Sequence, residues 1–264
     1  MHFAINHSRT FRNLAVALSL LAACAAPLRA QDTMADATKA AKTNTPVYLT
    51  ANQPDAVALL APPPLADSAE QAADLAETIA VHTQHSTTDE AAAKSEQKLS
   101  IFNFTPAIGS FFQPGKFPQT EAFLKRVQGD TEIVEDKGKN YWKRPRPYTV
   151  DPALARGAQD LEKSFSYPSG HSTRGTVFAL VLAELFPDKQ AAILAVGRDI
   201  GWHRVEIARH YPTDIYAGRV LARAIVQTMK TNLDFQKDFA QAQKEIASVL
   251  TADKQAMPAT AAVH

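Results

Sequence analysis

The apolar residues of this chain recur at steps of three and four positions, which is the spacing of one face of an α-helix. The pattern begins in 67–85, where Ser68 and Gln71 form a capping pair, and continues in 87–97, where Thr88 is the predicted cap. Further helical stretches are predicted at 120–141, 171–186, 188–204, 212–230 and 234–250. No stretch alternates as a half-buried strand does, so the pattern predicts an all-α fold.

Changes in composition along the chain give the domain boundaries. We predict a single helical domain over 66–252, a bundle of roughly seven to ten helices packed around the two most apolar ones. Aromatic residues, Pro and Gly crowd 101–118, which predicts a buried irregular segment or a short helix. Ala, Thr, Asp and Pro dominate 31–65, which we interpret as a flexible tail and linker, and 253–264 is predicted to be a disordered tail.

Residues 1–30 have the pattern of a secretory signal peptide. Arg9 and Arg12 give a positive start, an apolar run follows over 14–26, and the small residue Ala30 precedes a polar stretch. The run is shorter than the roughly 20 apolar residues that span a bilayer, so a signal peptide fits better than a transmembrane anchor. We therefore expect an exported protein of the bacterial periplasm.

The single cysteine, Cys24, lies inside this leader. The sequence from Leu21 to Cys24 resembles a bacterial lipobox, in which the cysteine is lipidated and becomes the first residue of the mature protein. Cleavage after Ala30 is the competing interpretation, and the sequence leaves both open, so a lipid anchor at Cys24 is one of two expectations. With one cysteine the chain forms no internal disulfide.

Composition limits the binding partners. The net charge is +1, with 45% apolar and 21% charged residues, which is ordinary for a globular domain and gives no indication of nucleic-acid binding. Pro and charged residues interrupt the apolar helices within the roughly 20 residues of a membrane span, so we expect no transmembrane domain. The oligomeric state is left open, because the apolar segment 101–112 fits either the core or the interface of a homo-oligomer.

Three short polar segments carry the candidate chemistry, and the middle one runs from Ser166 to Gly175. Ser169 and Gly170 stand directly before an apolar helix, where free backbone N–H groups and the helix dipole favour an anion. Gly170 lets a ligand approach the backbone closely. A plain helix cap made by Ser169 is the alternative interpretation.

The other two segments supply a histidine and cations. Arg204, His210 and Asp214 follow one another at steps of six and four residues. An Asp that accepts from one imidazole nitrogen leaves the other nitrogen free to attack or bind. Lys139 and Arg146 suit a phosphoryl group as a point charge and as a bidentate fork. Taken singly, these segments also fit a salt-bridged surface histidine and a basic surface loop.

Together the three segments resemble the tripartite signature of the phosphatidic acid phosphatase type 2 superfamily, which is Lys-x6-Arg-Pro, Pro-Ser-Gly-His and Ser-Arg-x5-His-x3-Asp. The resemblance covers residues 65–235. An exported, single-domain chain of this kind is similar to the bacterial class A nonspecific acid phosphatases. One departure is His203, which stands where the family has Ser, so the role of that position is open.

The first motif has two registers in this chain. Lys139 with Arg146 fits it, and Lys137 with Arg144 fits it two residues earlier. We prefer the later pair because Tyr148 follows Arg146-Pro147, as an aromatic residue commonly does in the family.

The resemblance implies a metal-independent acid phosphatase that hydrolyses phosphate monoesters without a cofactor. It implies that His210 is the nucleophile that forms a phosphohistidine, that Asp214 orients it, and that His171 is the general acid and base. The implied phosphate-binding residues are Lys139, Arg146, Ser169, Gly170 and Arg204. Vanadate and phosphate are expected inhibitors, and the need for a protonated His171 predicts an acidic pH optimum.

Three other functions fit parts of the sequence. A lipid phosphate phosphatase tethered to the membrane, or a vanadium-dependent haloperoxidase with vanadate on His210, are alternatives within the same superfamily. A non-catalytic phosphate-binding protein is the alternative from another class, although binding alone needs only the cations and neither His171 nor Asp214. The sequence does not specify the physiological substrate.

Overall fold

The computed structural model describes residues 45–50, 53–156, 158 and 161–256. These residues lie in one compact unit, Thr43–His264. The predicted signal peptide, with Cys24 and Ala30, lies outside the described residues. The described part of the chain consists of helices and connecting segments without a β-strand, which confirms the all-α prediction.

Seven of the described α-helices follow the seven predicted stretches closely, and three one-turn helices lie before or between them. They are α1 Ala56–Leu59, α2 Ala69–Gln84, α3 Thr87–Ser95, α4 Thr105–Ile108, α5 Pro118–Trp142, α6 Pro147–Val150, α7 Gly170–Leu185, α8 Gln190–Glu206, α9 Pro212–Met229 and α10 Leu233–Ala256. Short 3₁₀ turns occupy Ile101–Phe104, Pro152–Ala155 and Pro187–Lys189.

The starts of α2 and α3 are fixed by serine caps. The Ser68 hydroxyl accepts from the backbone N–H of Gln71 at 3.1 Å, as predicted. The cap of α3 is Ser86 and not Thr88, because the Ser86 hydroxyl accepts from Asp89 N at 3.2 Å while the Asp89 carboxylate accepts from Ser86 N at 2.8 Å. This reciprocal pair is a capping box, and it places Thr88 inside the helix.

The most apolar helix, α7, lies at the centre and packs against α5, α8 and α9. Its side chains are buried around most of its circumference, and Val177, Phe178 and Leu182 are at most 1% exposed. A helix that is covered on all sides has no need of a polar face, which explains its continuous apolar sequence. None of the described helices combines the length and the apolar character needed to cross a membrane.

Small residues let α7 and α8 approach closely. A Cβ atom on Gly197 would overlap the Cβ of Ala179 and would lie 3.0 Å from the backbone oxygen of Gly175. Near the other end of the contact, a Cβ on Gly201 would lie 3.0 Å from the Ser172 hydroxyl. The two helices therefore run antiparallel, and the start of α7 meets the end of α8.

The stretch 31–65 differs from the predicted flexible linker in its described part. Tyr48 is 2% exposed, and the backbone N–H groups of Val47, Tyr48 and Leu49 donate to the Asp130 carboxylate at 2.8, 2.7 and 3.1 Å. Further along, Ala56 of α1 is fully buried. Composition could not indicate this anchoring because the acceptor lies about 80 residues away, on α5.

Two further segments complete the core. The predicted buried segment around 101–118 is confirmed, since Phe104, Phe112 and Phe117 are fully buried. At the other end of the chain, α10 packs against α5 and continues to Ala256, so it enters the stretch predicted as a disordered tail. The remainder of that tail, 257–264, lies outside the described residues.

Candidate active site

The structure brings the three predicted segments together at one end of the central helices. The start of α7 contributes Ser169, Gly170 and His171, and the end of α8 contributes Arg204. The last turn of α5 and the loop after it supply the predicted cations of the first motif. The short loop between α8 and α9 carries the predicted nucleophile, and the first turn of α9 carries its aspartate.

The His210 imidazole is held between an acid and a cation. Its Nδ1 lies 3.3 Å from Asp214 Oδ2, and Arg146 Nη1 donates to its Nε2 at 3.1 Å. A guanidinium can only donate, so Nε2 is the acceptor and Nδ1 carries the proton that faces the carboxylate. His210 is 1% exposed. This tautomer leaves the lone pair on Nε2, the nitrogen that faces Arg146.

Asp214 is fixed by several donors. Its carboxylate accepts from Arg144 Nη1 at 2.6 Å, from the Ser166 hydroxyl at 2.6 Å and from Tyr211 N at 3.0 Å. The residue is fully buried. The same Ser166 hydroxyl lies 3.3 Å from His210 Nδ1, so it contacts both members of the pair. Such a network sets the plane of the imidazole as well as its tautomer.

Arg144 and Arg146 lie on opposite sides of this pair. Arg144 is 4% exposed and binds Asp214 and Asp74, both at 2.6 Å, so it lies on the Asp214 side of the histidine. Arg146 donates to the other ring nitrogen of His210, Nε2. Of the two registers of the first motif, the later one therefore places its arginine against Nε2.

Lys139 is buried beside the start of α7. Its ammonium donates to the backbone oxygens of Phe165 and Pro168 at 3.0 and 2.7 Å. Burial lowers its pKa to about 8, partly opposed by the negative charge of Glu135 one helical turn earlier. Lys137, the alternative lysine, lies on an exposed part of α5.

Glu135 was not predicted from the sequence and lies against the glycine of the second motif. A Cβ on Gly170 would lie 2.7 Å from Glu135 Oε1, so only glycine fits there without displacement. Burial raises the pKa of Glu135 to about 7, and Arg174 at 3.7 Å and Lys139 oppose that rise. The carboxylate therefore adds negative charge close to the candidate anion site as the pH approaches neutrality.

Ser169 caps α7 and ties it to α9. Its hydroxyl accepts from Ser172 N at 3.3 Å, which is the cap foreseen as the alternative interpretation. Its own backbone N–H donates to the backbone oxygen of Asp214 at 3.1 Å. The start of α7 is thus held next to the residue that orients His210.

His171 and Arg204 face a cavity. The Nε2 of His171 lies 3.1 Å from the backbone oxygen of Glu96, and the Arg204 guanidinium donates to the backbone oxygen of Ala93. Burial lowers the pKa of His171 well below 6.5, with Arg204 and Arg174 adding to the effect. Burial also lowers the pKa of Arg204. Its Nε has no hydrogen-bond partner among the described residues, which leaves it a donor for an anion.

The cavity measures about 590 Å³. His171, Arg204, Glu162 and Arg209 line it on the side of the predicted motifs, and α2 and α3 line the other side. The α2 side includes His82 and the nearby His85, which are only partly exposed. The volume suits a small organic leaving group. Across the described residues, no group of three or more His, Cys, Asp or Glu side chains is arranged to hold a metal ion.

Sequence reasoning located the motif residues and missed most of their partners. Ser166 and Arg144 contact Asp214, Glu96 contacts His171, and Asp74 contacts Arg144. Of these partners, only Ser166 and Arg144 lie in the segments predicted for the site. Nothing in the sequence marks Asp74 and Glu96, because the tertiary fold brings them to the site. The contact between Gly170 and the buried carboxylate of Glu135 likewise depends on the tertiary structure.

Comparisons with known proteins show which family the chain resembles. The family model of the PAP2 superfamily matches residues 129–236. The chain is 31% identical over 204 residues to an acid phosphatase of Zymomonas mobilis, covering 75% of this chain and 77% of that protein. It is 36% identical over 129 residues to a non-specific acid phosphatase of Providencia stuartii, covering 45% and 52%. A non-specific acid phosphatase of Salmonella typhimurium is 30% identical over 162 residues, covering 58% and 65%.

Among solved structures, a transmembrane PAP2 type phosphatidylglycerolphosphate phosphatase from Bacillus subtilis matches with a TM-score of 0.48 and 21% identity, covering 67% of this chain and 89% of that one. The family model and the Zymomonas relative place the chain in a family: it belongs to the PAP2 superfamily. The resemblance to acid phosphatases is thereby confirmed, and the protein is a phosphatase.

Proposed function

We propose that this protein is a metal-independent acid phosphatase that hydrolyses phosphate monoesters through a phosphohistidine on Nε2 of His210. The observation that carries the proposal is the orientation of one imidazole, with Asp214 at Nδ1 and Arg146 at Nε2. A nucleophile needs a free lone pair, and it needs that lone pair to point at a site where an anion is attracted. The Nε2 lone pair of His210 faces the Arg146 cation and accepts from it, and it becomes free to attack when the guanidinium turns to a phosphoryl oxygen.

In the first step, the lone pair of His210 Nε2 attacks phosphorus and the bond to the ester oxygen breaks. The imidazole becomes positively charged, and the carboxylate of Asp214 stabilises that charge through Nδ1. His171, on the cavity side, gives its proton to the leaving oxygen, so the alcohol departs neutral.

In the second step, His171 acts as the base. It takes a proton from water, the resulting hydroxide attacks phosphorus, and the P–N bond breaks. Inorganic phosphate leaves, and His210 returns to its neutral form while His171 is again protonated. The two steps are chemically symmetrical, so one residue can serve as acid and then as base.

Fixed positive charge takes the part that a metal ion plays in other phosphatases. Lys139, Arg146 and Arg204 are all at least nine-tenths buried, so their charges act in surroundings that screen them weakly. With the hydroxyl of Ser169 and the N–H of Gly170, they would bind the three equatorial oxygens, on which charge is spread in the transition state. Vanadate and phosphate should inhibit by occupying the same donors.

Two matched variants test the mechanism. His210→Ala and His171→Ala each remove one imidazole from the same site, and the substrate is ³²P-labelled p-nitrophenyl phosphate with EDTA present. We expect the wild type to turn over below about pH 7 and His210→Ala to be inactive. p-Nitrophenolate is a weak base that leaves without much protonation, so His171→Ala should still be phosphorylated but should hydrolyse slowly.

The covalent intermediate is the deciding observation. After an alkaline quench, which preserves phosphohistidine, His171→Ala should retain label on the protein and His210→Ala should retain none. Label on His210→Ala would refute the assignment of the nucleophile. Loss of wild-type activity in EDTA that Mg²⁺ or Zn²⁺ restores would refute metal independence.

A further inference from the structure

The last turn of α3 lies directly on two residues of the proposed mechanism. The backbone oxygen of Ala93 accepts from the Arg204 guanidinium, and the backbone oxygen of Glu96, the residue that ends α3, accepts from His171 Nε2 at 3.1 Å. Ala93 is 1% exposed and Glu96 is 6% exposed. The end of this helix therefore presents carbonyl groups to the candidate general acid and to a candidate phosphate-binding arginine.

The side chain of Glu96 holds this turn in place. Both of its carboxylate oxygens lie close to His203 Nδ1, at 3.0 and 2.9 Å, and Oε2 lies 4.0 Å from Arg204 Nη2. His203 precedes Arg204 on α8 and stands where the related signature has Ser. One residue thus contacts His171 through its backbone and His203 through its side chain.

We propose that Glu96 and His203 form a positioning pair that fixes the end of α3 against the site, so that the Glu96 carbonyl holds His171 in the orientation and tautomer needed for proton transfer. The proposal rests on the acid–base role of His171 proposed above. A carbonyl only accepts, so Nε2 of His171 must carry a proton and donate it to the Glu96 oxygen. Nδ1 is then the nitrogen that exchanges a proton with the leaving group and with water.

The charges around His203 and His171 determine the direction in which the pKa of each histidine is shifted. Burial opposes protonation of His203, but the hydrogen bond and charge of Glu96, with Glu206 and Asp199 on α8, raise its pKa; Asp89 on α3 also faces it. Around His171, burial and the charges of Arg204, Arg174 and His210 all lower the pKa, and the bond to the Glu96 carbonyl opposes them.

Loss of the pair should therefore weaken the one contact that favours the protonated form of His171. The carbonyl itself remains in any Glu96 variant, but the turn that carries it would lose its anchor on α8. We expect the pKa of His171 to fall further and the population of the acid form to fall with it.

The experiment compares Glu96→Gln, His203→Ser and the double variant in p-nitrophenyl phosphate hydrolysis across the acidic and neutral range. Each single variant should lose roughly tenfold in kcat, with a smaller change in KM. This loss is smaller than the whole contribution of a general acid, because His171 itself remains. The alkaline limb of the rate profile should move to lower pH. The double variant should be no worse than either single variant, because both act through the same contact.

Glu245→Gln is the matched control. The Glu245 carboxylate also anchors a helix end, accepting from Gln119 N, Thr120 N and the Thr120 hydroxyl at 2.9, 2.8 and 2.7 Å. That end of α5 lies about 30 Å along the helix from Lys139. The control should lower the melting temperature and leave kcat and the pH profile unchanged. Profiles of Glu96→Gln and His203→Ser that match the control would overturn the proposal.

A measurement that does not depend on turnover tests the positioning pair separately from the proposed mechanism. Imidazole ¹H–¹⁵N NMR follows the titration of His171 and His203 directly. In Glu96→Gln both pKa values should fall, whereas Glu245→Gln should change neither. An unchanged His171 titration in Glu96→Gln overturns the positioning pair even if the enzyme is active. A wild type that fails to hydrolyse p-nitrophenyl phosphate contradicts the proposed function, and the NMR result then decides the pair by itself.

Discussion

The surroundings of His210 keep its attacking nitrogen unprotonated. The pKa of His210 lies well below 6.5, chiefly because the ring is buried and also because Arg146, Lys139 and Arg204 are positively charged. A neutral imidazole retains its lone pair on Nε2 in mildly acidic solution, where an ordinary histidine would be protonated. An acidic pH optimum is therefore compatible with a histidine nucleophile.

The pH dependence of catalysis should distinguish the free enzyme from the complex. The pKa of His171 also lies well below 6.5, with burial as the main cause, so the free enzyme loses its general acid as the pH rises through that low value. A bound phosphate dianion adds negative charge beside the ring and raises the pKa. We expect the alkaline fall of kcat/KM to lie below about pH 6.5 and the fall of kcat to lie at higher pH.

Steady-state kinetics with p-nitrophenyl phosphate from acidic to alkaline pH measure both limbs. If the two limbs coincide, substrate binding does not shift the titration. If the limb of kcat/KM lies above about pH 7, the group that titrates is not a buried, cation-flanked histidine.

Short-range spacing explains which site residues sequence reasoning could locate. His210 and Asp214 are four residues apart, so their pairing is visible in the chain itself. Ser166 and Arg144 contact the same aspartate, although they are 48 and 70 residues away from it in the chain. No local pattern predicts these contacts. The preference for Lys139 over Lys137 came from the aromatic residue after Arg146-Pro147. In the structure Lys139 is buried and Lys137 is exposed, because two residues turn a helix by about 200°.

At the scale of elements, the position of the site depends on how closely α7 and α8 approach. The backbone oxygen of Gly175 would lie 3.0 Å from a Cβ on Gly197, and a Cβ there would overlap Ala179. This contact brings the start of α7, with His171, next to the end of α8, with Arg204. Helix boundaries were predictable from periodicity and caps, but the requirement for glycine at this crossing was not, since it depends on the facing helix.

Gly197→Ala should therefore destabilise the fold. The added methyl group meets Ala179 and the backbone of Gly175, and such overpacking costs about 1–3 kcal/mol. For a domain of this size we expect a melting temperature lower by about 2–12 °C. Calorimetry or thermal circular dichroism measures the change.

Gly129→Ala is the control for this substitution. Gly129 lies within α5 and nothing is within 4 Å of its would-be Cβ. Because alanine favours the helix over glycine, this variant should be neutral or more stable by up to about 1 kcal/mol. Equal destabilisation of both variants would contradict the assignment of the loss to the α7–α8 contact, because helix propensity alone would stabilise each alanine variant.

At the scale of the whole molecule, a buried arginine joins the N-terminal helices to the site. The Arg144 guanidinium binds Asp74 of α2 and Asp214 of α9, both at 2.6 Å, and Gln71 of α2 at 2.7 Å. It also lies 3.9 Å from the centre of the Tyr211 ring. The two aspartates are 5% and 0% exposed, so both depend on this one cation for compensation of their charge.

Substituting the two arginines of the first motif should separate stability from catalysis. Arg144→Met leaves two buried carboxylates without their cation, and we expect a loss of about 3–5 kcal/mol of unfolding free energy, or roughly 6–20 °C in melting temperature. Arg146→Met removes the donor at His210 Nε2. Its other acceptors are mostly backbone oxygens and the partly exposed Glu162, so we expect a smaller loss of stability but roughly a 10²-fold loss of kcat/KM.

Thermal unfolding and p-nitrophenyl phosphate kinetics on the same two proteins, at a temperature where both are folded, measure this separation. The residual activity of folded Arg144→Met should exceed that of Arg146→Met, because Asp214 keeps its bonds from Ser166 and from the backbone of Tyr211. The reverse order would place Arg144 in the phosphate site and would select the earlier register of the motif. Because the two residues differ by only two positions in the chain, their opposite effects would show that tertiary contacts, and not the motif alone, decide which arginine binds phosphate.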